Sequence, residues 1–324
     1  MRKSTKTWLT AAASSILLGS VVFTVSACSI GWDFSKFSTV THATNTHEIK
    51  ESFENISIDL TTTDVQFLPT DNGVCNVVCY EDEKQKHSVS VENGTLTIKQ
   101  TDERKWYEHI TIFGGKSPEI SVYLPQAEYA ALSIKISTGD VEIAKNFTFD
   151  SINHSGSTGE FDCYASVKNS LTVKVSTGDV QLKNLSAGAV DITTSTGDIE
   201  VASVHATNDF KTSVSTGDIE ITDVTCKNFT SHGDTGDLEM EDVVATEKMT
   251  IKRDTGDVEL TACDAAEIFI QTDTGDVAGS LRTAKTFHAD SDTGHVRVPY
   301  PSTGGKCEIQ SDTGDILISV LENE

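Results

Sequence analysis

The chain has 324 residues, of which 37% are hydrophobic and 7% aromatic, and its formal net charge is −24. So acidic a chain offers no basic face to phosphates, which argues against nucleic acid as a partner. Few aromatics and only 5 prolines suit a narrow β core, in which each lap of the chain needs few inward side chains.

Residues 1–30 read as a membrane-targeting segment, signal peptide or anchor. Arg2, Lys3 and Lys6 precede an uncharged apolar run from Trp8 to Ala27. The run ends Val25-Ser26-Ala27-Cys28, which looks like a bacterial lipobox with Cys28 as the acylated first residue of a mature lipoprotein. The same run is long enough to remain as an uncleaved anchor, and simple secretion is a third reading. The first two hold the protein at the bacterial cell membrane. All three export the acidic body. Residues 31–50 then read as a juxtamembrane linker, with Trp32 and Phe34 suited to the interface.

Residues 51–130 form a less regular β region. Strands are expected at Ile56–Leu60, Val74–Tyr80, Ser88–Val91, Leu96–Lys99, Ile110–Phe113 and Ile120–Leu124. Asn93-Gly94 is a favourable hairpin turn between two of them. A solenoid needs a cap at each end, and this region is the natural N-terminal one. The aromatic and charged cluster Arg104–His109 offers Trp106, Tyr107 and His109 as a candidate ligand loop, or as a lid over the first coil.

Residues 131–321 carry a repeat. A corner Ser/Asp-Thr-Gly recurs with its glycine at Gly139, Gly159, Gly178, Gly197, Gly217, Gly236, Gly256, Gly275, Gly294 and Gly314, always 19 or 20 residues apart. Aligned on the glycine, apolar residues fall into columns. One repeat reads Leu171, Val173, Val175, corner, Val180, Leu182, Leu185; the next reads Val190, Ile192, Thr194, corner, Ile199, Val201, Val204. Alternation on both sides of the corner is the period of a half-buried strand. The expected fold is therefore all-β: a single-stranded β-solenoid of about ten coils, each strand lying about 4.8 Å from its equivalent. Thr61-Thr62-Thr63-Asp64-Val65 resembles a degenerate copy of the same corner, so the first coil could begin there.

The corner has its own chemistry. Glycine supplies the positive φ that a Cβ resists. The residue after it is acidic in nearly every copy (Asp140, Glu160, Asp179, Asp198, Asp218, Asp237, Asp257, Asp276, Asp315), with His295 the exception. Neighbouring carboxylates at strand spacing repel by about 0.9 kcal/mol in water, so amides, solvent or cations must offset the column. In the distal half the corner also opens with Asp, pairing Asp234 with Asp237, Asp254 with Asp257, Asp273 with Asp276 and Asp312 with Asp315. Such rows of hard oxygen ligands could hold Ca²⁺ between coils; alternatively the leading Asp replaces Ser as an amide acceptor.

Cys163, Cys263 and Cys307 occupy columns otherwise filled by Ile143, Leu185 and Val190, which reads as buried thiols packing as small hydrophobes. Cys75 and Cys79 lie four apart in one strand, about 13 Å, too far to bond each other. The final strand from Ile316 to Leu321 loses alternation, and an open edge there invites self-association.

The corner repeats, the strand Ile120-Ser121-Val122-Tyr123-Leu124-Pro125 leading into them and the N-terminal segment resemble the bacterial "putative adhesin" family of unknown function. Its members are envelope-anchored β-solenoids. The resemblance spans most of residues 50–320. It implies a surface-exposed role in binding an extracellular or envelope protein or glycan, and carries over no catalytic residue or cofactor. An envelope-stress or regulatory accessory is the alternative. A polysaccharide-acting enzyme fares worst, because no coil bears an insertion and no nucleophile or His-Glu-x-x-His spacing occurs.

Overall fold

The computed structural model describes residues 42–82, 85–102, 118–300 and 303–321, all within one compact unit. Cys28, the cluster Trp106, Tyr107 and His109, and the strand expected over Ile110–Phe113 lie outside the described residues.

The chain folds as an all-β solenoid. Strands pair in parallel with their equivalents in neighbouring coils: Leu171 faces Val190, Val190 faces Phe210, Phe210 faces Phe229 and Phe229 faces Met249. Like therefore stacks on like, and the rings of Phe210 and Phe229 lie 5.8 Å apart. The strands before each glycine corner make one face of the stack, and those after it the other. Alternate side chains of both point inward, giving one continuous core from Ile56 to Ile318.

The corner takes glycine for two reasons. At Gly178 φ is 141°, a conformation closed to other residues, and an added Cβ would stand 2.1 Å from the carbonyl oxygen of Gly159. This close approach lets the amide of Gly159 donate to the carbonyl of Thr177, at 3.0 Å, while Phe161 N–H donates to Asp179 O, also at 3.0 Å. Backbone pairing thus passes through the bend without a break.

A second bend has no fixed residue type. Six positions after the glycine, Asn184, Ser203, Asp223, Asp242 and Ala262 all have φ between 52 and 56°. Asn and Asp tolerate this region better than Ala. The corner recurs in geometry and varies in sequence, so periodicity does not reveal it.

The N-terminal end departs from simple stacking. Strands β1 (His42–Ile49), β2 (Asn55–Thr62), β3 (Asp64–Thr70), β4 (Cys75–Asp82), β5 (Gln85–Glu92), β6 (Thr95–Asp102), β7 (Glu119–Pro125), β8 (Glu128–Thr138) and β9 (Val141–Ile143) build it. β2 and β3 form a true coil: Thr62 faces Thr138 and Val65 faces Val141, so the degenerate corner is real. β6 and β7 pair in parallel with β2 and β3 as well. The first coil in sequence is thereby enclosed between two later ones. β5 and β4 then pair antiparallel to β6 and β7, and β1 pairs antiparallel to β4. Residues 42–49, expected within a linker, are a strand because the outer edge of β4 supplies unpaired backbone groups for them.

The C-terminal end is also re-entrant, which corrects two expectations. Strand Gly305–Thr313 lies directly on Val258–Thr274, with Ile270 facing Ile309, and Lys285–Thr293 lies outside it. The last coil in sequence is therefore next to last in space. Its final strand, Ile316–Val320, alternates after all, and Ile316 and Ile318 are buried. Among the described residues the open edge at this end belongs to Lys285–Thr293 and, beyond the two residues Val296–Arg297 that pair with Ile316 and Leu317, to the end of the final strand itself, as expected. That outer coil offers Ala289 and Ser291 where the inner one offers Ile309 and Ser311. Placing the more apolar coil inside buries more surface. Pro299, lacking an N–H, also stops the outer coil from pairing further.

Candidate functional site

The trailing acids form a hydrogen-bonded ladder. The Oδ1 of Asp179 accepts the backbone N–H of Asp198; Asp198 accepts from Asp218, Asp218 from Asp237, Asp237 from Asp257 and Asp257 from Asp276, each at 2.8 Å. A shorter run starts in the first coil, where Asp64 accepts from Asp140 at 3.0 Å and Asp140 accepts from Glu160 at 2.8 Å. Amide bonds therefore offset the like-charge repulsion of the column. Because the last two coils are exchanged, Asp276 accepts from Asp315 and Asp315 from His295, both at 2.7 Å. His295 does not interrupt the column; it terminates it. Its backbone amide, then its ring, hold the Asp315 carboxyl below the ordinary value.

The leading acids Asp234, Asp254, Asp273 and Asp312 are exposed at the same corners as Asp237, Asp257, Asp276 and Asp315. The structure thus gathers all eight along one edge of the stack. Beside the ladder, on the face after the corner, runs a second acidic row. Glu220, Glu239 and Glu259 are register partners and exposed. Glu200 continues it, bound to Lys183 at 2.6 Å, and this lysine holds its carboxyl low.

The core contains polar groups that the column pattern does not foretell. Arg253 is 1% exposed and takes the place that Val175 and Val214 hold in other coils. Its Nη2 donates to Ser231 Oγ at 3.4 Å, and Ser231 Oγ accepts from Thr212 at 3.1 Å. Burial pushes the guanidinium down to about 10. His154 is buried against Phe161 at 4.6 Å, and burial pushes it to about 4, so it is a neutral core ring.

The described cysteines are all free and buried, as the columns imply. One of them has chemically distinct company. On β4 and β5, Cys79, Glu81 and His87 turn inward together, with a ligand atom of each within 4.8 Å of the others. Glu81 Oε2 accepts from His87 N–H at 2.6 Å and faces His87 Nδ1 at 2.8 Å, while Asn45 Nδ2 donates to Oε1 at 2.5 Å. His87 Nε2 lies 3.2 Å from Thr63 Oγ1. No regular motif marks this group. Its sequence signal is slight: two alternate positions on one strand and a third six residues later.

Among the described residues no helix is long and apolar enough to cross a membrane. The sequence matches the family described as Toastrack DUF4097 over residues 53–212 and 202–324. No curated protein matches the chain. The fold is similar to the crystal structure of a "putative lipid binding protein" from Parabacteroides distasonis, at 18% identity and a TM-score of 0.50, covering 85% of this chain and 97% of that one. A "putative adhesin" from Parabacteroides merdae aligns at 12% identity and 0.45, covering 87% and 97%. Another "putative adhesin", from Bacteroides fragilis, aligns at 13% and 0.41, covering 87% and 98%.

Proposed function

This chain belongs to the Toastrack DUF4097 family, and we propose that it is a non-catalytic binding module displayed on the bacterial surface. Residues 1–30 hold it at the membrane, through an acylated Cys28 or as an uncleaved anchor. The observation that carries the binding role is the pair of acidic rows on one edge and face of the stack. Asp218, Asp237 and Asp257 run beside Glu220, Glu239 and Glu259, all exposed. The ladder of amide bonds explains why the aspartates are tolerated. It does not explain the glutamates, because like charges directly opposite each other across a sheet destabilise it. A repeating, one-residue-per-coil charge array suits an extended partner of opposite charge. The partner is an extracellular or envelope protein or glycan presenting cationic groups.

The test is a protein and glycan binding array probed with the purified chain and with a Glu220→Gln/Glu239→Gln/Glu259→Gln variant. Specific ligands should be retained by the native chain, weaken as salt rises and be lost by the variant. Equal binding by both would remove the acidic face from the reading. Product release from a polysaccharide would replace the reading with an enzymatic one.

A further inference from the structure

The geometry points to a divalent transition-metal site formed by Cys79, Glu81 and His87, with Zn²⁺ as its natural occupant. Thiolate, imidazole and carboxylate are the three side-chain ligand types that zinc takes in proteins. Here they are 0%, 3% and 6% exposed, and already converge from two strands.

The partners of the cluster suit a cation among them. Thr63 Oγ1 lies 2.6 Å from the carbonyl oxygen of Thr62, accepts from Gln100 Nε2 at 3.1 Å and lies 3.2 Å from His87 Nε2. When Thr63 donates to Thr62, Nε2 is the ring nitrogen that bears hydrogen, and Nδ1 turns a lone pair toward the Glu81 carboxylate oxygen 2.8 Å away. A proton on Nδ1 would join only the imidazole and the carboxylate, whereas a metal ion would engage these and the buried thiol, whose ligand atoms all lie within 4.8 Å of one another.

The surroundings match what metal ligands require. The non-ligating nitrogen of a metal-bound histidine is normally fixed by a second hydrogen bond, and Thr63 provides it. Asn45 fixes the free oxygen of Glu81. His47 faces Val77 across the pairing of β1 and β4, on the same side of the sheet as Cys79 and Glu81, and is half-exposed. The fourth position is open to His47 or to water. Bound there, the ion would join β4 to β5 at the capped end, where the parallel ladder gives way to antiparallel strands.

The experiment titrates the full chain, after chelator treatment, with Co²⁺ and then Zn²⁺. The native chain should develop a thiolate-to-cobalt charge-transfer absorption that saturates at one equivalent and disappears when zinc displaces cobalt. Its melting temperature should rise with Zn²⁺ and not with Ca²⁺, which separates this site from the acid ladder. Cys79→Ser and His87→Gln should abolish the band, whereas Cys28→Ser and Cys307→Ser keep it. Thr63→Val should weaken binding by about 10–100-fold. Absence of the band in the native chain overturns the proposal whether or not the variants fold. So does a band that survives Cys79→Ser.

Discussion

A methyl group on Gly233 would stand 1.5 Å from Nη1 of Arg253, its register partner in the next coil. The guanidinium occupies the space that glycine leaves empty, which is how a stack built for valine-sized side chains accommodates a buried arginine. The two positions form one packing unit. Gly233→Ala should therefore destabilise the protein by about 1–3 kcal/mol through overpacking. Arg253→Met, which replaces a buried charge by an apolar chain, should be neutral or stabilising by about 1–4 kcal/mol. The double variant should recover most of the loss. Denaturant midpoints check all three, and strict additivity of the two changes would deny the coupling.

Asp237 links two coils, accepting from Asp257 through Oδ1 while its own amide donates to Asp218. Asp237→Ala should cost about 1 kcal/mol, because an acceptor at an exposed site is lost. Asp237→Asn keeps an oxygen in place and should cost less, the more so at low ionic strength where it also relieves repulsion. Chemical denaturation at low and high salt would show the ordering. A larger loss for Asn than for Ala would contradict the ladder.

The exchange of the last two coils can be tested by cross-linking. Thr274 and Thr313 are register partners, and Thr293 lies beyond Thr313. Cysteines at 274 and 313 should oxidise to a disulfide, since neighbouring strands lie about 4.8 Å apart. Cysteines at 274 and 293 sit about two spacings apart and should remain free. Non-reducing peptide mapping distinguishes this order from one in which coils follow the sequence.

Alkaline pH should unfold the stack early. Burial pushes the thiols of Cys163, Cys226 and Cys307 up to about 12 and that of Cys263 to about 11, from an ordinary 9.0. Above pH 9 the unfolded chain loses these protons while the folded one keeps them, so stability falls as pH rises. Each thiol contributes up to about 1.4 kcal/mol per pH unit to that fall. Arg253 has the opposite sign, because its folded form releases a proton from about 10 upward. Between pH 9 and 10 the thiols outweigh this opposition, which is only beginning. Cys307→Val should flatten the decline in denaturant midpoint over that unit, and an unchanged slope would refute the assignment.

The sequence alone determined the coil length, the glycine corner and the inward columns. These are local demands: a Cβ added at Gly178 would stand 2.1 Å from the carbonyl oxygen of Gly159, and alternation is set by the pleat. It also placed Cys163, Cys263 and Cys307 in the core. Tertiary structure decided the order of coils at both ends, the fit of Arg253 against Gly233, and the meeting of Cys79, Glu81 and His87. The reason is degeneracy. Every coil presents the same edge, so Asp315 satisfies Asp276 as well as any other aspartate would, and a repeating pattern cannot state which copy lies beside which. That choice falls to the total apolar surface buried and to side chains that break the repeat.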